Sequence, residues 1–200
     1  MAFVAPPRVA FGKPADADRA PPCRTKAERR RQYAAKLAGD LLPVLPEPGE
    51  AIHCLMGGNY DLGQVVCAIL SKHPVRSLRI ATLAYSKRTV AELFTAMEKG
   101  RIGTLAILVS GFFERHNREL FQWVAGELAD HPGSRQAAAR SHCKVVCFEF
   151  ADGTVPMVFE GSANLRKNGD REQLTAFRDR PLHDWHAGWI DSLVDTHDRD

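Results

Sequence analysis

The sequence predicts an α/β domain with a mixed, largely parallel central sheet flanked by helices. Three observations predict it. Between residues 51 and 130, short apolar runs alternate three times with segments whose apolar residues recur at helical spacing. After Gly133 the pattern changes to two apolar strands around the tight turn signal "ADG". The chain then closes on one amphipathic helical segment.

The elements follow in order. Residues 1–22 are rich in Ala and Pro, a composition that buries little and reads as a loosely draped arm. The next stretch, "CRTKAERRRQYAAKLAGD", carries six Lys or Arg against one Glu as far as Lys36. It reads as a helix from about Thr25. Its basic side chains, Arg29 and Arg30 among them, are either a solvated face or a patch that touches phosphate. "LLPVLPEPGE" is a proline-punctuated connector, so residues 1–49 form an arm, a basic segment and a linker ahead of a domain at 50–196. Residues 197–200 read as a polar tail.

Within the domain, "AIHCLM" reads as a buried strand. Leu62, Val65, Val66, Ile69 and Leu70 share one helical face. "SLRIATLA" and "GTLAILVS" are further strands. Val90, Leu93, Phe94 and Met97 line the helix between them, which stops at Gly100. Leu120, Phe121, Val124 and Leu128 form the stripe of the third helix. "RQAAARS" is a short strand, and "CKVVCFEF" with "TVPMVFE" makes the hairpin. Leu182, Trp185, Trp189, Ile190 and Leu193 mark the last helix.

Composition narrows the classes. The net charge of +3 does not by itself announce a nucleic-acid binder. Five cysteines, Cys23, Cys54, Cys67, Cys143 and Cys147, are an odd number, and three of them sit in apolar runs, which fits reduced thiols. No run approaches the roughly 18 apolar residues of a membrane span. The amino terminus lacks the h-region of a secretory signal. The expected compartment is the cytoplasm, without stable membrane association.

The chemistry-bearing residues cluster late in the chain. On a strand, His142 and Lys144 share a face, while Val145, Cys147 and Glu149 take the other. The histidine and lysine are then roughly 6–7 Å apart at the backbone, close enough to converge on one phosphate. The turn "GSAN" returns Ser162 and Asn164 to the same end of the hairpin. Tyr85 and Ser86 follow the second strand on the edge where parallel sheets gather their sites. They read as cleft-lining or as a plain strand exit. Arg115, His116 and Arg118 follow the third strand, as backbone-binding cations or as a solvated first turn. His183 and His186 stand three apart, but two ligands alone do not define a metal site. Cys143 and Cys147 would lie roughly 13 Å apart on a strand, too far to share one ion.

His142, Lys144, Glu149, Gly161, Ser162 and Asn164 together resemble the signature of the phospholipase D superfamily, H-x-K-x4-D followed by G-S-x-N. Here Glu149 stands in the place of the aspartate, and the spacing on to Gly161 is longer than usual. The resemblance covers roughly residues 50 to 195. It implies that His142 attacks phosphorus and forms a phosphohistidine. It implies that Lys144 and Asn164 stabilise the phosphate oxygens, that Ser162 braces the turn or the histidine, and that Glu172 orients a histidine. No metal or other cofactor is implied. Because the motif occurs once, the second histidine that the reaction needs would come from a two-fold homodimer.

The first expectation is therefore a metal-independent phosphodiesterase, an endonuclease on DNA or RNA. Two alternatives stand beside it. One is a phospholipid-cleaving enzyme. The other is a nucleic-acid-binding module whose site has drifted.

Overall fold

The computed structural model describes residues 29–35, 38–42, 44–167 and 169–197. The expectations for the arm at 1–22 and the last residues of the tail lie outside these, as do the side chains of Arg29 and Arg30. The elements are β1 (Arg29–Ala35), α1 (Ala38–Leu41), β2 (Glu50–Met56), α2 (Leu62–Lys72), β3 (Val75–Thr82), α3 (Lys87–Glu98) and β4 (Ile102–Ser110). They continue as α4 (Gly111–His116), α5 (Arg118–Ala129), β5 (Arg135–Ala139), β6 (Val145–Phe150), β7 (Met157–Gly161), β8 (Glu172–Arg178) and α6 (Arg180–His197).

Among the described residues, all strands join one eight-stranded sheet in the order β1-β2-β8-β7-β6-β3-β4-β5. The parallel pairs are β1 with β2, β3 with β4, and β4 with β5. The four pairings between β2 and β3 through β8, β7 and β6 are antiparallel. Consequently β1, β2, β3, β4, β5 and β7 run one way, and only β6 and β8 run against them. The sheet is mixed and largely parallel, with helices on both faces.

Strand alternation divides the core. In β6, Val146, Phe148 and Phe150 face the larger core with Leu78, Ile80, Leu105, Ile107 and Phe159. Residues of α2, α3 and α5 (Val66, Leu93 and Val124 among them) close that side. Val145, Cys147 and Val158 face the other way and pack under Leu182, Ile190 and Val194 of α6. Each apolar side chain withdrawn from water contributes roughly 1.5–3 kcal/mol toward ordering the chain. Cys54 and Cys147 are buried in these layers, as expected of reduced core thiols, and Cys143 is exposed. Burial pushes the Cys54 thiol up to about 11. Among the described residues, no helix is long and apolar enough to cross a membrane.

The structure departs from expectation at two places, and the first is a correction. The basic segment is not helical where it is described: residues 29–35 are an edge strand registered along β2, from Arg29 opposite Glu50 to Ala35 opposite Met56. Helix propensity is a weak prior, and the open edge of β2 satisfies this segment's backbone groups instead. The second is an addition: the sequence pattern predicts no element over residues 172–178, which form β8. It fills the gap between β2 and β7.

Candidate active site

Because most strands point the same way, their C-terminal ends share one sheet edge. The antiparallel strands β6 and β8 begin at that edge. The entry to β6, the exit of β7 and the start of β8 therefore meet there, and they carry His142, Lys144, Ser162, Asn164 and Glu172.

His142 and Lys144 sit just ahead of β6 rather than inside it, since the ladder starts at Val145 opposite Glu160. Pairing still reaches one residue further, because the Gly161 N–H donates to the Lys144 carbonyl at 3.2 Å. Lys144 Nζ lies 2.8 Å from His142 Nδ1 and donates to the His142 carbonyl oxygen at 2.7 Å. The histidine is exposed and the lysine half-buried. Desolvation lowers the Lys144 pKa from its ordinary value, and the charges of Cys143 and Glu172 oppose that shift.

The GSAN turn is held from both ends. A Cβ on Gly161 would run into the Gln173 backbone carbonyl, so only glycine allows β7 to approach β8 this closely. Next to it, the Ser162 hydroxyl donates to Glu172 Oε2 and accepts the Gln173 N–H at 3.1 Å. Ser162 is thus a brace for Glu172. The Asn164 carbonyl oxygen accepts the Leu83 N–H at 3.1 Å and the Thr82 hydroxyl at 3.3 Å. This fixes which way the amide faces and leaves its NH2 as the donor end. The backbone beyond is tied as well, with Leu62 N–H to Asn164 O at 3.2 Å and Ser86 N–H to Leu165 O at 3.0 Å.

Glu172 lies on Ser162 and within electrostatic reach of Lys144. Glu149, in the signature's acid position, faces away from this corner. Arg180 holds it with Nη1 at 2.8 Å and Nη2 at 3.1 Å. Strand alternation predicts that outward direction, and the carboxylate anchors the start of α6 to β6.

Other sequence candidates are placed differently. Tyr85 is buried, its hydroxyl donates to Gln136 Oε1 at 2.9 Å, and its ring packs edge-on against Phe113. It belongs to the core and does not line a cleft. Ser86 is the N-cap of α3, accepting the Thr89 N–H, so its hydroxyl serves the helix. Arg29 and Arg30 register with Glu50 and Ala51 at the start of β2. That is the edge opposite the candidate site, roughly 20 Å away along the strand. By backbone position they are not part of the corner that gathers His142 and Asn164 within one subunit. Arg115 does lie on the site edge and is exposed.

His183 and His186 do not share a ligand. His183 Nδ1 is 2.9 Å from Asp184 Oδ1, and its buried Nε2 lies 3.7 Å from Glu149 Oε2. His186 Nε2 lies 2.6 Å from Glu160 Oε1, and its Nδ1 accepts from Trp189 Nε1 at 3.0 Å. Among the described residues, Glu149, His183 and Asp184 are close enough to gather a metal ion. A cation there would compete with Arg180, which already holds Glu149 and lies 3.5 Å from Asp184 Oδ1.

The sequence reading missed the supporting layer. Thr82 is buried and connects Asn164 to Ala84 and Leu165. Ser110, the N-cap of α4, donates to the Leu83 carbonyl at 2.8 Å and so reaches the residue that pins Asn164. Gly58, at φ +77, lets the loop after β2 approach the carbonyls of Gly169 and Asp170. The available signals were a Thr and a Ser at strand ends and the pair Gly57-Gly58.

No known family profile and no curated protein matches this sequence. Among solved structures, the chain is similar to the crystal structure of polyphosphate kinase from Porphyromonas gingivalis, at 13% identity and a TM-score of 0.49. The match covers 72% of this chain and 26% of the kinase chain, so this protein spans about a quarter of that chain's length. At that identity and TM-score the likeness bears on neither residue roles nor substrate.

Proposed function

We propose that the protein is a phosphodiesterase that cuts DNA or RNA through a phosphohistidine, with its site completed across a two-fold homodimer. The observation that supports this reading is the gathering of His142, Lys144, Ser162, Asn164 and Glu172 at one sheet edge by short, specific bonds.

The chemistry starts with a phosphodiester seated against Lys144 and the Asn164 NH2. Lys144 transfers its hydrogen bond from the imidazole to a phosphate oxygen. With Nδ1 released, the ring proton moves from Nε2 to Nδ1 by exchange with solvent and is donated in a hydrogen bond to Glu172, braced by Ser162, which leaves the Nε2 lone pair free. Nε2 attacks phosphorus, a P–N bond forms, and the P–O bond to the leaving strand breaks. The departing oxygen takes a proton from His142 of the partner subunit. Water then gives a proton back to that second imidazole and attacks phosphorus, which breaks the P–N bond and releases a phosphomonoester. Lys144 and Asn164 oppose the charge that develops on the non-bridging oxygens, typically worth about 2.7–4 kcal/mol for one such donor. The side chains supply nucleophile, acid and cation, so the reaction needs no metal.

The test compares the parent with His142→Ala on bis(p-nitrophenyl) phosphate and on labelled DNA and RNA in the presence of chelator. The expected result is cleavage by the parent, a labelled phosphoprotein on quenching in alkaline detergent, where a P–N bond survives, and neither in the variant. Sedimentation is expected to show a dimer. A folded parent that cleaves none of these substrates overturns the reading, and an active, strictly monomeric parent overturns its dimeric part.

A further inference from the structure

The short helix α4 presents an unusual surface beside this corner. Phe112 is 60% exposed and stacks on His116, with ring centroids 4.0 Å apart and planes 28° from parallel. The pair is rigid. His116 Nδ1 donates to the Phe112 carbonyl at 2.8 Å, which fixes the imidazole. Phe113, the next residue, is buried against Tyr85 and anchors the helix. Asn117 ends the turn by donating through its side chain to the Phe113 carbonyl at 3.2 Å.

Two connections place this stack on the site edge. Ser110, just before α4, registers with Ala139 at the end of β5, three residues ahead of His142. The Ser110 hydroxyl also reaches the Leu83 carbonyl, and the Leu83 N–H holds Asn164. Beyond the stack, Arg115 and Arg118 line a groove of about 370 Å³ with Glu114, Phe121 and Gln122. Arg140 is exposed at the end of β5.

An exposed aromatic near a dimeric site has an obvious alternative use as a dimer contact. Its flanks argue against that use. A two-fold axis through Phe112 would bring Arg115 and Arg118 toward their own copies, where like charges repel. Cations near a largely exposed ring instead match a strand of unpaired nucleotides, with bases that stack and phosphates that meet arginine. A duplex keeps its base faces covered and offers the ring nothing to stack on.

We propose that Phe112, supported by His116, is a base-stacking platform that makes the protein prefer single-stranded over duplex nucleic acid, with Arg115 and Arg118 meeting the adjoining phosphates. This deepens the polynucleotide reading above and rests on it for the identity of the substrate. It makes Phe112 the residue that determines strand specificity.

Binding is measured by fluorescence anisotropy in the His142→Ala background, so that no cleavage is required. The probes are an oligothymidylate, an oligouridylate and a blunt duplex, each about twenty nucleotides long, a length that exceeds the site of a typical single-strand binder. The expected result is tighter binding of the single strands than of the duplex at equal salt. Phe112→Ala is expected to weaken single-strand binding about tenfold with duplex binding held, and Phe112→Trp to restore it. Arg115→Gln is expected to lower the salt dependence by about one phosphate contact. Equal binding of single strand and duplex, or single-strand binding untouched by Phe112→Ala, overturns the proposal. So does dissociation of the dimer on Phe112→Ala, read by sedimentation. Failure of the parent to hydrolyse bis(p-nitrophenyl) phosphate, with this binding pattern intact, would instead sink the catalytic reading alone.

Discussion

Lys144 rests its ammonium on His142, 2.8 Å from the ring Nδ1 and 2.7 Å from the carbonyl oxygen of the same residue. Desolvation holds its pKa below the ordinary lysine value. In the proposed reaction only the charged form would grip a phosphate, so anion binding should fade as pH rises, and earlier than for a solvated lysine. Lys144→Arg, whose guanidinium stays charged, should push that alkaline limb upward. Lys144→Met should lower kcat about a hundredfold to a thousandfold. Stability moves the other way. In the pH range just below the ordinary lysine value the unfolded chain binds more protons at this position than the folded one, so folding gains as pH rises there. A pH profile of activity beside one of thermal unfolding checks both signs.

Arg180 meets Glu149 on the side of the sheet away from this corner. With Arg180 half in water, the two-pronged pair contributes about 1 kcal/mol. Glu149→Asp withdraws the carboxylate by one methylene and should lower stability by about that amount. Removing the guanidinium with Arg180→Ala should cost somewhat more, because Glu149 is largely buried and His183 lies beside it. Neither change should lower kcat. Denaturant titration beside initial rates tests the separation, and a large activity loss from Glu149→Asp would place that acid in the chemistry instead.

What was legible in the sequence was local. Two-residue alternation put Cys147 and Glu149 opposite the site, and helical spacing placed α2, α3, α5 and α6. His142, Lys144, Ser162 and Asn164 could be read together because a hairpin and its turn bring them to one end. What was not legible depended on distant partners. Residues 29–35 pair with β2 across a linker, so a helical composition misled. Tyr85 looked available at a strand exit, but Gln136, some fifty positions later, takes its hydroxyl. Ser86 read as a cleft residue because caps and cleft residues occupy the same strand exits.

Gly161 leaves no room for a side chain. In Gly161→Ala the new methyl would press on the Gln173 carbonyl, which is backbone inside the β7–β8 ladder and cannot swing away. The cost should be about 1–3 kcal/mol, as for other overpacked positions, and Glu172, one residue from Gln173, should lose its alignment. Ser162→Ala provides the contrast. It deletes the bond to Glu172 and the acceptor for the Gln173 N–H but adds no bulk. It should cost about 1 kcal/mol of stability while lowering kcat more than KM changes. Equal thermal midpoints for parent and Gly161→Ala would show that the ladder can open without cost.

Under the proposed reaction Asn164 separates anchoring from catalysis most cleanly, because its two amide atoms would do different work. The oxygen accepts from Leu83 N–H and the Thr82 hydroxyl, which hold the GSAN turn on the end of β3. The nitrogen is the end left to donate to a phosphate. Asn164→Asp keeps an acceptor for Leu83 and nearly the same shape, yet replaces the donor by a second oxygen carrying negative charge. The fold should survive it with a loss within about 1 kcal/mol, while catalysis falls by about a thousandfold or more, because a donor is lost and a repulsive charge faces the substrate. Asn164→Ala should do the reverse in part. It strips the partner from a backbone N–H in a half-buried turn, costing about 1–3 kcal/mol, and removes the donor without adding charge. Its activity loss should therefore be smaller than that of the aspartate variant even though its stability loss is larger. That crossed order, read from denaturant midpoints and from initial rates on a small diester, is what a donor aimed at phosphate requires. If the two variants rank the same way in both measurements, Asn164 acts only as a strut.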